Sequence, residues 1–244
     1  MSSQPPEFQR ARRPEQIEAR RRAILSTARG MLGERSLADI SLRELSLRVG
    51  LSKSNVLRYF DSREAIFLEL LDTESEAWLD ALEVVLAAGG QVGEAGEAGE
   101  PRDATGEAEP YAVEVRLASA VADTLYERPL LCELIGSMSG VLERNISVDF
   151  ARAFKRRATG HTERLAALVG SRLPGLGGAA SGQFAAAVIV ITAGLWPYAN
   201  PTEAVATVTA EMGHPPTDET FPHALREALI THLIGLSASP HRFV

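Results

Sequence analysis

The sequence predicts an all-α chain: a three-helix head carrying a helix-turn-helix, followed by a larger C-terminal helical bundle. Three observations predict it. Apolar residues recur at intervals of three and four along most of the chain, and no alternating run of β-branched and aromatic residues is bounded by hairpin turns. Breakers divide the periodic stretches into helix-sized pieces. Charge is also divided: residues 1–60 carry twelve Lys and Arg against six Asp and Glu, a net +6, whereas the other 184 carry thirteen against twenty-six, a net −13. A basic head on an acidic body, within an overall charge of −7, is the footprint expected when one end meets phosphate. The expected division is residues 1–62 as head and 63–244 as body.

The first helix is expected from Pro14 to about Leu32, with Ile17, Ile24, Ala28 and Met31 at helical intervals and Arg20, Arg21 and Arg22 between them. In SLRELSLRVG, residues 41–50, Ser41 and Glu44 stand at capping-box spacing. Leu42, Leu45 and Val49 give that helix its apolar face, and Gly50 suits a left-handed stop. Ser52 is an N-cap for a third helix running to about Phe60, anchored by Val56, Leu57 and Phe60. Asp61 and Ser62 cap a long fourth helix whose apolar side includes Ile66, Phe67, Leu70, Leu71, Trp78, Leu82 and Val85. The Gly-, Glu- and Pro-rich stretch 89–110 has almost nothing to bury and is expected to be a mobile loop. Helices then follow over about 111–126, from Pro129 past Leu142, over 147–173, over 182–199 and, after a Pro-rich connection, over 221–236.

Composition narrows the function. At 244 residues and 45% hydrophobic content the chain has material for a proper core. Its N-terminus is basic with no apolar segment behind it, unlike a signal peptide. The longest apolar run, FAAAVIVITAGLW at 184–196, is short for a bilayer and reads as a buried helix. No membrane partner is expected, and the cytoplasm is the expected compartment. A single cysteine, Cys132, excludes an internal disulfide framework and a cysteine-based zinc site. The five histidines show no HExxH spacing, and GLGG at 175–178 lacks the lysine of a phosphate loop. No cofactor or metal is expected. A helical-bundle enzyme is the weaker alternative.

The turn at Gly50–Leu51–Ser52 between two short helices reads as a helix-turn-helix, whose second helix enters the major groove of DNA. Lys53 suits guanine acceptors or a phosphate, Asn55 suits adenine, and Ser54 allows close approach. Arg58 and Tyr59 sit where they meet base edges or phosphate. Ser62 and Arg63, opening the fourth helix, present backbone N–H groups to a phosphate.

The segment from about residue 17 to 71 resembles the DNA-binding domain of TetR-family transcriptional regulators. The resemblance is carried by IEARRRAILSTARGML, SLRELSLRVGLSKSNVLRYF and DSREAIFLELL. The Tyr59–Phe60 pair closes the recognition helix as in the family, and Ser62–Arg63–Glu64 follows as its cap; Asp61 stands where a proline is usual. The resemblance implies an all-α homodimer, usually a repressor, that binds a palindromic operator in double-stranded DNA and releases it on binding a small-molecule effector. It implies Arg43, Lys53, Ser54 and Asn55 as base-edge residues, and Ser41, Ser52, Tyr59 and Arg63 as phosphate contacts. Arg12 and Arg13 are assigned to a neighbouring groove or phosphate.

An effector pocket is expected among the body helices around Leu134, Met138, Phe154, His161 and Trp196. Each also has a plainer reading: Met138 and Phe154 fall at core spacing, and His161 lies on the apolar stripe between Phe154 and Leu165. Cys132 fits an inert buried thiol better than a redox sensor. The helices near 182–199 and 221–236 are the expected homodimer seam. A regulator controlled by a protein partner is a further alternative.

Overall fold

The computed structural model describes residues 8–94, 110–213 and 217–238, with side chains over 14–89, 110–213 and 220–238. Ten helices form the described chain: α1 (Phe8–Leu32), α2 (Leu42–Val49), α3 (Lys53–Val56), α4 (Arg63–Glu94), α5 (Ala112–Tyr126), α6 (Pro129–Ser137), α7 (Val148–Arg172), α8 (Gly178–Ala199), α9 (Glu203–Glu211) and α10 (Thr217–Ala238). No strand occurs among the described residues. The fold is all-α.

The head is α1 to α3 packed on the start of α4. Ile24, Ala28 and Met31 of α1 are fully buried against Leu37, Ile40, Leu45 and Val56, with Phe60, Ile66 and Phe67 closing the same core. Ile17 is 49% exposed and Ile24 is the first buried residue, so the apolar stripe of α1 begins about two turns later than its spacing predicts. The helix starts at Phe8 and takes Pro14 inside it, rather than beginning there. The side chains of Arg12 and Arg13 lie outside the described residues, within α1 and not ahead of it.

In the body, α5 and α8 flank α10, while α7 packs along α4 and α8. α4 runs from the head core into the body, with Leu71, Trp78, Leu79 and Leu82 buried, whereas Val85 is exposed. Its last turns occupy residues 89–94 of the expected loop, and residues 95–109 lie outside the described ones. α6 ends in a π turn at Met138–Leu142 instead of continuing as an α-helix. Ser147 caps α7, accepting the Phe150 N–H at 3.2 Å and reaching Asp61 Oδ2 at 3.3 Å.

α8 is long and apolar enough to cross a membrane, with a mean hydropathy of 1.6. It starts four residues before the predicted boundary. Phe184, Ala185, Val188 and Thr192 are buried between α6, α7 and α10, which is the position of a core helix. α9 is absent from the sequence expectation for a physical reason: it buries none of its residues, and so carries little periodic signal.

Candidate functional site

The helix-turn-helix is built by local rules. The Ser41 hydroxyl accepts the Glu44 N–H at 3.2 Å, which opens α2. The Glu44 carboxylate does not return to the Ser41 backbone; it pairs with Arg35, so only half of the predicted capping box forms. Gly50 has φ +75°, and the Gly50 and Leu51 N–H groups return to Leu47 and Ser46 carbonyls, closing α2 with a Schellman turn. Two residues later the Ser52 hydroxyl accepts the Asn55 N–H at 3.2 Å and lies 3.1 Å from the Ser54 hydroxyl. α3 itself is one turn long, because from Leu57 the chain continues as a turn rather than reaching Phe60 as helix.

Val56 and Phe60 hold this segment from beneath, at 0% and 4% exposure. Leu57 does not: it is 39% exposed, because the chain leaves helical geometry there. The far end is secured by Arg21, which the sequence left undistinguished within an arginine triplet. Its guanidinium donates to the Tyr59 carbonyl, pairs with Glu69 of α4, and lies 4.3 Å from the centroid of the Phe60 ring. Tyr59 is consequently half-buried.

The cations of the head fall into two groups. Arg21, Arg29, Arg35, Arg48 and Arg63 are tied into ion pairs with Glu69, Glu74, Glu44, Glu34 and Glu64. The bidentate Arg48 bond holds the Glu34 carboxyl below its ordinary value. Arg20, Arg22, Arg43, Lys53 and Arg58 are exposed and form no ion pair among the described residues; the last three lie, with Ser41, Ser52, Ser54 and Asn55, on the exposed surface of α2, the turn and α3. Arg63 departs from the outward position expected of it. Only 18% of its side chain is exposed, and its Nη1 donates to the Ile40 carbonyl at 2.7 Å while Nε meets Glu64. It braces the head core.

The body contains a cavity of about 360 Å³ between α4, α6, α7 and α8. Of the five expected lining residues, Met138, Phe154 and His161 are present. Leu134 and Trp196 are not. Leu134 is fully buried in the core, and Trp196 faces the crevice between head and body, with its Nε1–H donating to Glu133 Oε2 at 2.8 Å. Trp78 lines the cavity with carbon only, because its Nε1–H donates to Thr124 at 3.0 Å. His161 is not a simple core histidine: its Nε2 lies 2.9 Å from Asp72 Oδ1, and Arg157 holds the other oxygen of that carboxylate at 2.7 Å. Farther along the α4–α7 seam, Arg164 bridges Asp80 and Glu83.

Glu133 is the residue that sequence reasoning missed. Its Oε1 accepts the Leu37 N–H of the head at 3.0 Å, while Oε2 holds Trp196 of α8. The available signal was one carboxylate inside the otherwise apolar helix PLLCELIGS. Cys132 beside it is fully buried, its thiol pushed up to about 12 by that burial.

A one-turn reading helix on a three-helix head, joined by a shared long helix to a larger helical body, defines a DNA-binding regulator with a separate cavity-bearing domain. The family model for bacterial regulatory proteins of the tetR family matches residues 24–70, and that for the tetracyclin repressor-like C-terminal domain matches residues 72–240. The chain belongs to the TetR family of transcriptional regulators, which are not enzymes. The HTH-type transcriptional regulator EthR of Mycobacterium tuberculosis is 48% identical over 50 residues, 20% of this chain and 23% of that one, so the match spans about a quarter of the relative's length. Among solved structures, a TetR-family regulator from Mesorhizobium loti is similar at TM-score 0.47 and 16% identity, covering 91% of this chain and 96% of that one. The transcriptional regulator FadR of Bacillus subtilis, solved in complex with stearoyl-CoA, is similar at TM-score 0.48 and 11% identity, covering 86% and 97%.

Proposed function

We propose that the protein is a homodimeric repressor that binds a palindromic operator and releases it when a small molecule enters the body cavity. The observation that carries this reading is the exposed, unpaired set of cations on the helix-turn-helix. Arg43, Lys53 and Arg58 are the charged groups of the reading face and are left without carboxylate partners, as expected of residues kept for base edges and phosphates. Within this reading Arg43, Lys53, Ser54 and Asn55 meet base edges, while Ser41, Ser52, Arg58 and Tyr59 meet the backbone. Residues 1–62 form the head and 63–244 the body, the start of α4 also packing into the head core. The protein works in the cytoplasm.

Dimerisation through α8 and α10 fits their length, their packing on one another, and the outward apolar residues Val190 and Tyr198, 70% and 80% exposed. Two heads then engage half-sites only at about one duplex turn, ~34–36 Å, or a compatible multiple. Since α4 lines the cavity through Leu71, Asp72, Ser75 and Trp78 and also carries the head, a ligand there acts on that spacing. Near-complete reversal of a mostly bound population needs about 5.5 kcal/mol of differential affinity.

The test is retardation of duplexes from the region around the protein's own gene, with molar mass measured for the free and bound protein. A dimer binding a palindrome, with affinity falling steeply as salt rises, is the expected result. A monomer on DNA, or no preference over random duplex, refutes the reading.

A further inference from the structure

We infer that the body cavity takes an uncharged, mainly apolar molecule that presents one hydrogen-bonding group to the α4–α7 mouth. The inference deepens the effector reading above, on which it rests for its regulatory meaning. Leu71, Trp78, Ile135, Phe154 and Leu165 are the buried part of the lining, each no more than 4% exposed. Trp78, the one of these with a polar atom, spends it on Thr124. A volume of about 360 Å³ suits a small organic ligand.

The charged groups around the cavity decide against an ionic ligand. Asp72 is held on both oxygens, by His161 and Arg157, and Lys155 is paired with Glu143. Glu163, the remaining charged lining residue, is exposed to water. An anion must therefore break an existing ion pair to find a cation. A cation must compete for Asp72 or stay at the solvent-facing Glu163, leaving its apolar part outside. Either route carries a desolvation cost with no free counter-charge inside. By contrast, the half-buried Ser75 hydroxyl on α4 lines the cavity, and the exposed Thr159 hydroxyl on α7 stands at its rim, each with no hydrogen bond among the described residues. They can serve a hydroxyl, ester or amide without disturbing any pair. Ser75 lies on the helix that carries the head, so the contact is made where it can be transmitted.

The experiment is calorimetric titration of the full-length protein with three probes sharing one alkyl chain: 1-decanol, decanoate and decylammonium. Decanol is expected to bind at least about ten-fold more tightly than either ion. Ala158→Leu, which fills the cavity wall, should abolish decanol binding, and Ser75→Ala should weaken it several-fold, each with an unchanged thermal melt. Equal or tighter binding of either ion overturns the inference, as does decanol binding that survives Ala158→Leu. If decanol binds as stated but leaves operator affinity unchanged, the ligand assignment stands and the effector reading alone fails.

Discussion

Removing the Glu133 carboxylate should loosen the head from the body, and the size of the effect follows from two hydrogen bonds. The Leu37 N–H opens a 3₁₀ turn at Leu37–Asp39, where no intrahelical acceptor exists for it. Glu133 Oε1 supplies one at 3.0 Å, and Oε2 satisfies the Trp196 indole at 2.8 Å. Both bonds are part-buried and charge-assisted. Hydrogen bonds to charged groups are worth about 1.5–3 kcal/mol, and a stranded buried donor costs about 1–3. Because the site is half open to solvent and the two bonds share one carboxylate, the sum is discounted: Glu133→Ala should cost about 2–4 kcal/mol. Glu133→Gln keeps one acceptor oxygen but turns an amide N–H toward the other donor, and should cost about half as much. Urea unfolding gives the stability change, and amide hydrogen exchange at Leu37 localises it. A change below about 0.5 kcal/mol, the range of ordinary surface substitutions, together with unaltered Leu37 exchange, would refute the strut.

Three further outcomes are expected. Lys53→Ala should weaken operator binding by about 1–3 kcal/mol and random-duplex binding by less, read from competition retardation at fixed salt; equal losses would reduce Lys53 to a phosphate contact. At Gly50, φ is +75° and an added Cβ would meet nothing within 4 Å, so Gly50→Ala should cost only the left-handed backbone strain, about 1–2 kcal/mol in denaturant unfolding; a neutral outcome would contradict the Schellman geometry. Burial raises the Cys132 thiol from 9.0 to about 12, so the folded state keeps its proton where an unfolded chain releases it. The stability tied to that proton is whole below about pH 9 and is lost as pH rises from there toward 12. A Cys132→Ala variant should lack that share of the alkaline decline, and a thiol reagent should label the native protein only through unfolding.

What the sequence made legible was what obeys local rules. Ser41, Gly50 and Ser52 act through their own backbones and nearest neighbours, and each sits where spacing predicted. The long apolar helices were equally visible, because a buried stripe has a period. The inward turn of the Arg63 side chain was not readable, because a helix-start arginine looks the same whether it faces solvent or, as here, the Ile40 carbonyl 23 residues away. Arg21 and Glu133 were unreadable for the same reason: their partners lie at separations of 38 to 96 residues, set by how whole helices cross. Leu134 and Trp196 illustrate a different limit. Both lie on apolar helices near the cavity, but periodicity marks a buried face without saying whether a core or a cavity lies behind it.

The cavity touches the head by two routes, and this constrains how a ligand can act. One route is α4, which lines the cavity and enters the head core without a break. The other is α6 and the π turn that ends it: Ile135 and Met138 border the cavity, while Glu133, two residues before Ile135, holds Leu37. A ligand that shifts α4 and α6 together moves the head as a body, whereas one that shifts α6 alone strains the Glu133 bond. Whichever occurs, coupling must be reciprocal. If decanol lowers operator affinity by some factor, operator-bound protein must bind decanol more weakly by that same factor. Titrating decanol with and without saturating operator measures this directly. In Glu133→Ala, coupling carried mainly by α6 should shrink both factors together, while coupling carried by α4 should leave both intact. A factor of one in both directions in the unaltered protein would mean that decanol and operator are uncoupled, and the account of release through the cavity would fall.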